Sequence, residues 1–302
     1  MISVRFAVVL SLFCLLASSA EASKLKKATA MDFDGDGRSD LSVFRPNDAV
    51  WHLYRSTEGL IQAKFGVSTD TIVPADYDGD GITDLAVYRA AEGTWHILQS
   101  STGTHFQLKY GLSTDIPVPA DYDGDGKADM AVYRASEGKW WINLSATGGS
   151  LTVPFGLKSD RPVPADYDGD GLTDIGLFRP SEGKWYIWRS KAGNMVVKWG
   201  VVEDIPVPAD YDGDGKADIA VYRPHEGVWF QWRSTTSEPH YVRYGTATDL
   251  PAPGDYDGDG RADVAMFRPA DGKWLLDLST EGRRVVPFGV TGDKPASNAF
   301  VK

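Results

Sequence analysis

The chain has 302 residues, 31 basic against 42 acidic side chains, a formal charge of −11 and an isoelectric point near 4.9. That balance gives no reason to expect a nucleic-acid role. The single cysteine, Cys14, excludes a disulfide framework.

Residues 1–22 have the form of a secretory signal: Arg5, an apolar run from Phe6 to Leu16, then Ala20-Glu21-Ala22 as a small-x-small cleavage site. The run is too short to span a bilayer. Bulky Phe13 before Cys14 argues against lipid attachment. Cleavage after Ala22 predicts a secreted, periplasmic or cell-surface protein with no cysteine and no transmembrane segment. Such a chain needs another source of stability, and metal sites are one.

The rest, residues 24–302, reads as one domain of repeats. An Asp-rich hexapeptide, as in Asp76-Tyr77-Asp78-Gly79-Asp80-Gly81, is followed three residues later by another aspartate, Asp84. It begins at Asp32, Asp76, Asp121, Asp166, Asp210 and Asp255, which divides the chain into 32–75, 76–120, 121–165, 166–209, 210–254 and 255–302. Alternate carboxylates with intervening glycines suit a hard cation, which takes six to eight oxygens at about 2.3–2.6 Å from a sharply turned loop. Without a cation, two carboxylates about 5 Å apart repel by roughly 3 kcal/mol at an effective dielectric near 20.

The predicted ligands are the side chains at loop positions one, three, five and nine and the main-chain carbonyl at position seven. These are Asp32, Asp34, Asp36, Arg38 and Asp40, then Asp76, Asp78, Asp80, Ile82 and Asp84, then Asp121, Asp123, Asp125, Lys127 and Asp129. The later copies offer Asp166, Asp168, Asp170, Leu172 and Asp174, then Asp210, Asp212, Asp214, Lys216 and Asp218, then Asp255, Asp257, Asp259, Arg261 and Asp263. The loops hold 24 of the 42 acids, leaving 18 acids against 31 bases elsewhere. The acidity is therefore local, and about six Ca²⁺ would nearly neutralise the chain. An EF-hand is excluded, because its position-twelve glutamate is here Val43, Val87, Val132, Leu177, Val221 or Met266, and strand-like sequence follows. A nonapeptide β-helix is excluded by the 45-residue period.

Within a copy the pattern is strand and turn, without helical period. In the fourth, strands are predicted over 162–167, 173–179, 184–190 and 195–199, the size of one propeller blade. Strands two and three are apolar on both faces, as expected of sheets packed between neighbours. Trp51, Trp95, Trp140, Trp185, Trp229 and Trp274 recur and read as core, whereas some of Trp141, Trp188, Trp199 and Trp232 are expected at the surface. Arg45, Arg89, Arg134, Arg179, Arg223 and Arg268 each precede by three residues an acid, Asp48, Glu92, Glu137, Glu182, Glu226 or Asp271, and read as turn-spanning ion pairs. A ring of ligand-binding arginines is the alternative.

The D-x-D-G-D-G-x-x-D repeat, an apolar strand after it, the Pro-Val-Pro-Ala-Asp run and aromatic-Gly pairs such as Phe65-Gly66 and Tyr110-Gly111 resemble the FG-GAP or VCBS-like repeat family. The resemblance covers about residues 28–295. It implies an all-β, calcium-binding β-propeller like that of integrin alpha chains, with a metal between the first two strands of each blade. Six four-stranded blades are expected from the repeats, with seven, the integrin number, as the alternative. The segment from Gly289 repeats the linker, with Asp293 matching Asp249 and Ala299 at the first ligand position. It either pairs near Lys26–Met31 to close the circle or hangs free.

His52, His96, His105, His225 and His240 break the repeat, but no H-E-x-x-H, G-x-S-x-G or isolated carboxylate pair accompanies them. The expected function is non-enzymatic, a secreted binding or adhesion module for an extracellular protein or glycan. The alternatives are a polysaccharide lyase using His96 or His105, or a purely structural surface protein.

Overall fold

The computed structural model describes residues 29–296; the signal segment and Cys14 lie outside the described residues. It contains six four-stranded antiparallel sheets arranged as a six-bladed propeller. Blade 2 is Thr71–Ile72, Leu85–Arg89, Thr94–Leu98 and His105–Lys109, and blade 3 is Ile116–Pro117, Met130–Arg134, Lys139–Asn143 and Ser150–Pro154. Blade 4 is Arg161–Pro162, Ile175–Arg179, Lys184–Arg189 and Gly193–Lys198, and blade 5 is Ile205–Pro206, Ile219–Arg223, Val228–Trp232 and Pro239–Arg243. Blade 6 is Leu250–Pro251, Val264–Arg268, Lys273–Leu278 and Gly282–Pro287. Blade 1 takes its first strand, Lys294–Pro295, from the end of the chain and adds Leu41–Arg45, Val50–Arg55 and Gly59–Lys64.

The sequence repeat and the blade are thus out of phase by one strand, because each blade's first strand precedes its Asp loop. That strand is shorter than expected. In blade 4 its ladder is Arg161–Pro162, with one further bridge from Ala165 to Asp174. Pro162 and Pro164 have no N–H to give, so pairing continues only through single bonds such as Val163 N–H to the Gly176 carbonyl, 2.8 Å.

Blade 1 divides this strand between the two ends of the chain. Val43 pairs with Pro295, and Ala296 donates to the Ser42 carbonyl at 2.8 Å. Asp40 donates to the Met31 carbonyl, as Asp84 does to Ala75 in blade 2. The tail closes the circle by pairing with Leu41–Arg45, while Met31, Phe33 and Ala296 share one core cluster.

Second strands are buried almost throughout and fourth strands are half-buried to exposed, which places the fourth on the outside. Each blade's core includes side chains from the next blade's second strand: Val87 in the blade 1 cluster, Val132 in that of blade 2, and Leu41 with Val43 in that of blade 6. The six recurrent tryptophans are fully buried. Five of them donate from Nε1 to the carbonyl of an aromatic-Gly pair, as Trp95 does to Tyr110 at 2.8 Å. The four irregular tryptophans are half-buried rather than at the surface. Trp199 packs edge-on against Trp232 at 5.2 Å, Trp188 lies against Phe155 of the preceding blade, and the Arg134 guanidinium lies 4.8 Å from the Trp141 ring.

Candidate metal centres

Every Asp loop is wound around its first carboxylate. Asp76 accepts the Gly79 N–H at 2.6 Å through one oxygen and that of Gly81 at 2.9 Å through the other. The same two bonds recur at Asp32, Asp121, Asp166, Asp210 and Asp255. Gly79 and Gly81 have φ of 82° and 86°, a region L side chains rarely adopt, which explains why glycine alternates with the ligands.

The position-nine carboxylates sit deepest. Asp84 accepts the Tyr77 N–H within its loop and the Ser100 N–H from the turn between strands three and four, at 2.9 and 2.6 Å. Ser56, Ser145, Ser190, Ser234 and Ser279 do the same in their blades. Each of these serine hydroxyls also donates to the position-five carboxylate, Asp36, Asp80, Asp125, Asp170, Asp214 or Asp259. The residue after the serine binds position three, as the Ser101 hydroxyl does Asp78 at 2.6 Å. The serine is a functional position that sequence reasoning missed. Its signal is its recurrence 24 residues after every loop start.

Oxygens of positions one, three and nine lie within 4.8 Å of one another in Asp76/Asp78/Asp84, Asp121/Asp123/Asp129, Asp166/Asp168/Asp174 and Asp210/Asp212/Asp218, and those of Asp32/Asp34/Asp36 do so in the first loop. In these four middle loops position five is held by the serine. Among the described residues, the loop carboxylates other than Asp166 form no ion pair with a lysine or arginine. Burial, with neighbouring carboxylates adding to it, pushes Asp84, Asp129, Asp174 and Asp218 up to about 6 and Asp40 and Asp263 to about 7.

The residues fit a divalent cation on one further observation. Oδ1 of position three is buried without a hydrogen-bond partner in five loops, at Asp34, Asp123, Asp168, Asp212 and Asp257. A buried carboxylate oxygen left unpaired is costly, and a hard cation is the partner this donor set suits. The position-seven carbonyls of Arg38, Ile82, Lys127, Leu172, Lys216 and Arg261 accept no backbone hydrogen bond among the described residues.

The loops are also joined to one another. The carbonyl of each first aspartate accepts an N–H from the next blade: Thr83 to Asp32, Ala128 to Asp76, Thr173 to Asp121, Ala217 to Asp166, Ala262 to Asp210 and Ser39 to Asp255, at 2.6–2.8 Å. The six candidate centres therefore form a closed circuit on one face, shared with the strand three–four turns.

The opposite face carries the arginines. Their principal partners are not the acids three residues on. Arg89, Arg134, Arg179, Arg223 and Arg268 each form a forked pair with Asp70, Asp115, Asp160, Asp204 or Asp249, and Arg45 pairs with Asp293; all six carboxylates are wholly buried. The acid three residues on is a second, exposed contact in four blades. Each buried carboxylate lies 19 residues before its arginine in five blades, a recurrence as regular as that of the loops.

His96 and His105 stand together, Nδ1 to Nε2 at 3.2 Å with rings stacked, and His96 is buried. His52 is buried in blade 1, His225 is exposed, and His240 lines a pocket between blades 5 and 6.

The FG-GAP-like repeat family matches at residues 32–87, 121–177 and 210–266, together more than half of the chain. No curated protein sequence matches it significantly. Among solved structures it is similar to an Agrocybe aegerita lectin described as recognising non-reducing terminal N-acetylglucosamine, at 16% identity over 83% of this chain and 76% of that one, TM-score 0.51. It is also similar to TolB from Acinetobacter baumannii, at 16% identity over 87% and 67%, TM-score 0.59, and to virginiamycin B lyase from Staphylococcus aureus, at 7% identity over 86% and 87%, TM-score 0.52. At these identities the likeness concerns the fold.

Proposed function

Because the chain belongs to the FG-GAP-like repeat family, we propose that it is an exported binding module, a propeller whose Asp loops take about six Ca²⁺ and whose opposite face receives an extracellular protein or glycan. The cation supplies positive charge where the carboxylates converge. The loop residues hold it, the serines fix the carboxylates from the neighbouring turn, and the loop-to-loop bonds carry that rigidity around the ring. An affinity of about 10⁻⁴–10⁻³ M, the range of extracellular modules, would suffice to keep the sites filled outside the cell. Among the described residues no helix is long and apolar enough to cross a membrane.

One observation carries the binding reading. Directly after the aromatic-Gly pairs, the face opposite the Asp loops exposes Val67, Leu112, Leu157, Val201 with Val202, and Val290, with Thr246 at the sixth place. Leu112 and Leu157 are about half exposed, at 51% and 52%. Exposed apolar area concentrated on one face is where interaction surfaces occur, and here it recurs in five of the six blades. Placement on one face follows from the contacts: Tyr88 donates to the Leu112 carbonyl, and Gly93 of the strand two–three turn accepts from Tyr110.

The test is retention of the calcium-loaded protein on cell surfaces, matrix proteins and a glycan array. Leu112→Asp with Leu157→Asp is expected to abolish retention and leave the melting temperature unchanged. Unchanged retention would overturn the assignment of this face. The lectin likeness is compatible with a glycan. The lyase reading has the His96–His105 contact as its geometric support, and turnover of an acidic polysaccharide lost in His105→Ala would establish it instead.

A further inference from the structure

A cavity of about 290 Å³ lies between blades 5 and 6 beside the sixth Asp loop. It is lined by Gln231, Arg233, His240, Arg261, Asp263 and Asp277 among others. Several of these depart from the repeat. The place of Gln231 is Leu53, Ile97, Ile142, Ile187 and Leu276 in the other blades. It is only 2% exposed, and its Oε1 is buried without a hydrogen-bond partner. A lone amide among positions that are otherwise apolar core costs stability unless something completes it.

Arg233 repeats the arginine of two other blades but not their partner. Its counterpart Arg55 pairs with Glu58, and its counterpart Arg189 donates to the turn carbonyls of Ala192 and Gly193. Thr236 stands where the glutamate would be, and the buried Arg233 Nε has no hydrogen-bond partner among the described residues. Nor do the acids of the cavity satisfy it. Asp277 pairs with Arg283 at 3.3 Å, and Asp263 accepts the N–H groups of Tyr256 and Ser279. Arg261 adds a second cation, its chain laid against Gly213 of the preceding loop. Burial, then Arg233, hold His240 below its ordinary value, so it offers a neutral ring.

We propose that this cavity is a binding site for a small hydroxylated carboxylate of sugar-acid size. The carboxylate would answer the Arg233 guanidinium, and hydroxyl groups would answer the Gln231 amide and the His240 ring. The volume is at the small end of ligand pockets, about 300–1,000 Å³, so one monosaccharide-sized acid is accommodated. The site goes beyond the apolar-rim reading and is separable from it, since it lies on the face of the Asp loops.

The test is calorimetric titration of the full calcium-loaded chain with D-glucuronate, D-glucose and acetate. Glucuronate is expected to bind about tenfold or more tightly than either control, since each lacks one of the two recognised groups. Gln231→Leu and Arg233→Leu introduce residues that other blades carry at those places, Leu276 and Leu278, so both variants should fold. Arg233→Leu should weaken glucuronate about tenfold or more, and Gln231→Leu should weaken it about fivefold. The rim variant Leu157→Asp should bind glucuronate normally. Absence of glucuronate binding at millimolar concentration, equal binding of a control, or unchanged binding in both pocket variants would overturn the proposal.

Discussion

Arg134 reaches Asp115 with two nitrogens, at 3.0 and 2.9 Å, and the carboxylate is wholly buried while the guanidinium is 14% exposed. Glu137 contacts the same arginine at 3.3 Å from the surface. Removing one partner of a buried pair leaves an uncompensated charge, at about 3–5 kcal/mol, whereas an exposed pair contributes about 0–1 kcal/mol. Arg134→Ala is therefore expected to lower the denaturation midpoint strongly and Glu137→Ala barely at all; equal effects would return the arginine to the turn-spanning role. The near acid is the one visible in sequence, because local spacing is easy to see. Asp115 lies 19 residues upstream across the Asp loop, and only the sheet brings it to Arg134. The same limit hid the serine 24 residues beyond each loop start, whereas the buried tryptophans were legible because bulk recurring within a strand needs no distant partner.

At the scale of the loop and its turn, charge decides the behaviour. The position-nine carboxylates of the cation-free loops have folded pKa values raised above their ordinary value, to about 6 or 7, with burial as the main cause. A raised acid favours the protonated folded state. Its stabilising contribution is full below the unfolded pKa and is lost as pH rises through the folded one. In excess chelator the melting temperature should fall as pH rises from about 5 to 8. With millimolar Ca²⁺ that fall should vanish, because the cation binds the deprotonated carboxylates; the same downward slope with and without Ca²⁺ would show that the loops do not hold it. A single loop can be examined separately. Asp123→Ala removes the carboxylate whose Oδ1 has no partner, and native mass spectrometry should then count one ion fewer while the other loops stay loaded. The loop pattern was legible in sequence because its ligands are local. The orphaned oxygen was not, since it depends on which carboxylate oxygen the turn N–H groups already occupy.

The whole ring depends on a tail that sequence could place only as an unfinished repeat. Five blades have a first strand continuous with their Asp loop, but in blade 1 Lys294–Pro295 pairs with Val43 and Phe44 at one end while Met31 meets Asp40 at the other. Asp293 supplies the sixth buried carboxylate, for Arg45 at 2.8 Å. Repetition alone left the chain one carboxylate and one strand short, and the tail supplies both, which is also why the blade and the sequence repeat differ in phase. Ending the chain at Phe288 should therefore do more than remove a short strand. It exposes the edge of Leu41–Arg45, leaves Arg45 without its partner and opens the contact of Leu41 and Val43 with Phe267 and Trp274. An unpaired edge recruits other chains, so the truncated protein is expected to melt at a lower temperature and to self-associate with rising concentration. Asp293→Ala in the full chain removes the ion pair and keeps the strand; it should lose about as much stability as Asp160→Ala in blade 4 and remain monomeric. Light scattering beside thermal unfolding separates the two effects. A truncated chain that stays monomeric with an unchanged melting temperature would mean that blades 1 and 6 are held together by the loop circuit, through Ser39 and Asp255, rather than by the shared sheet.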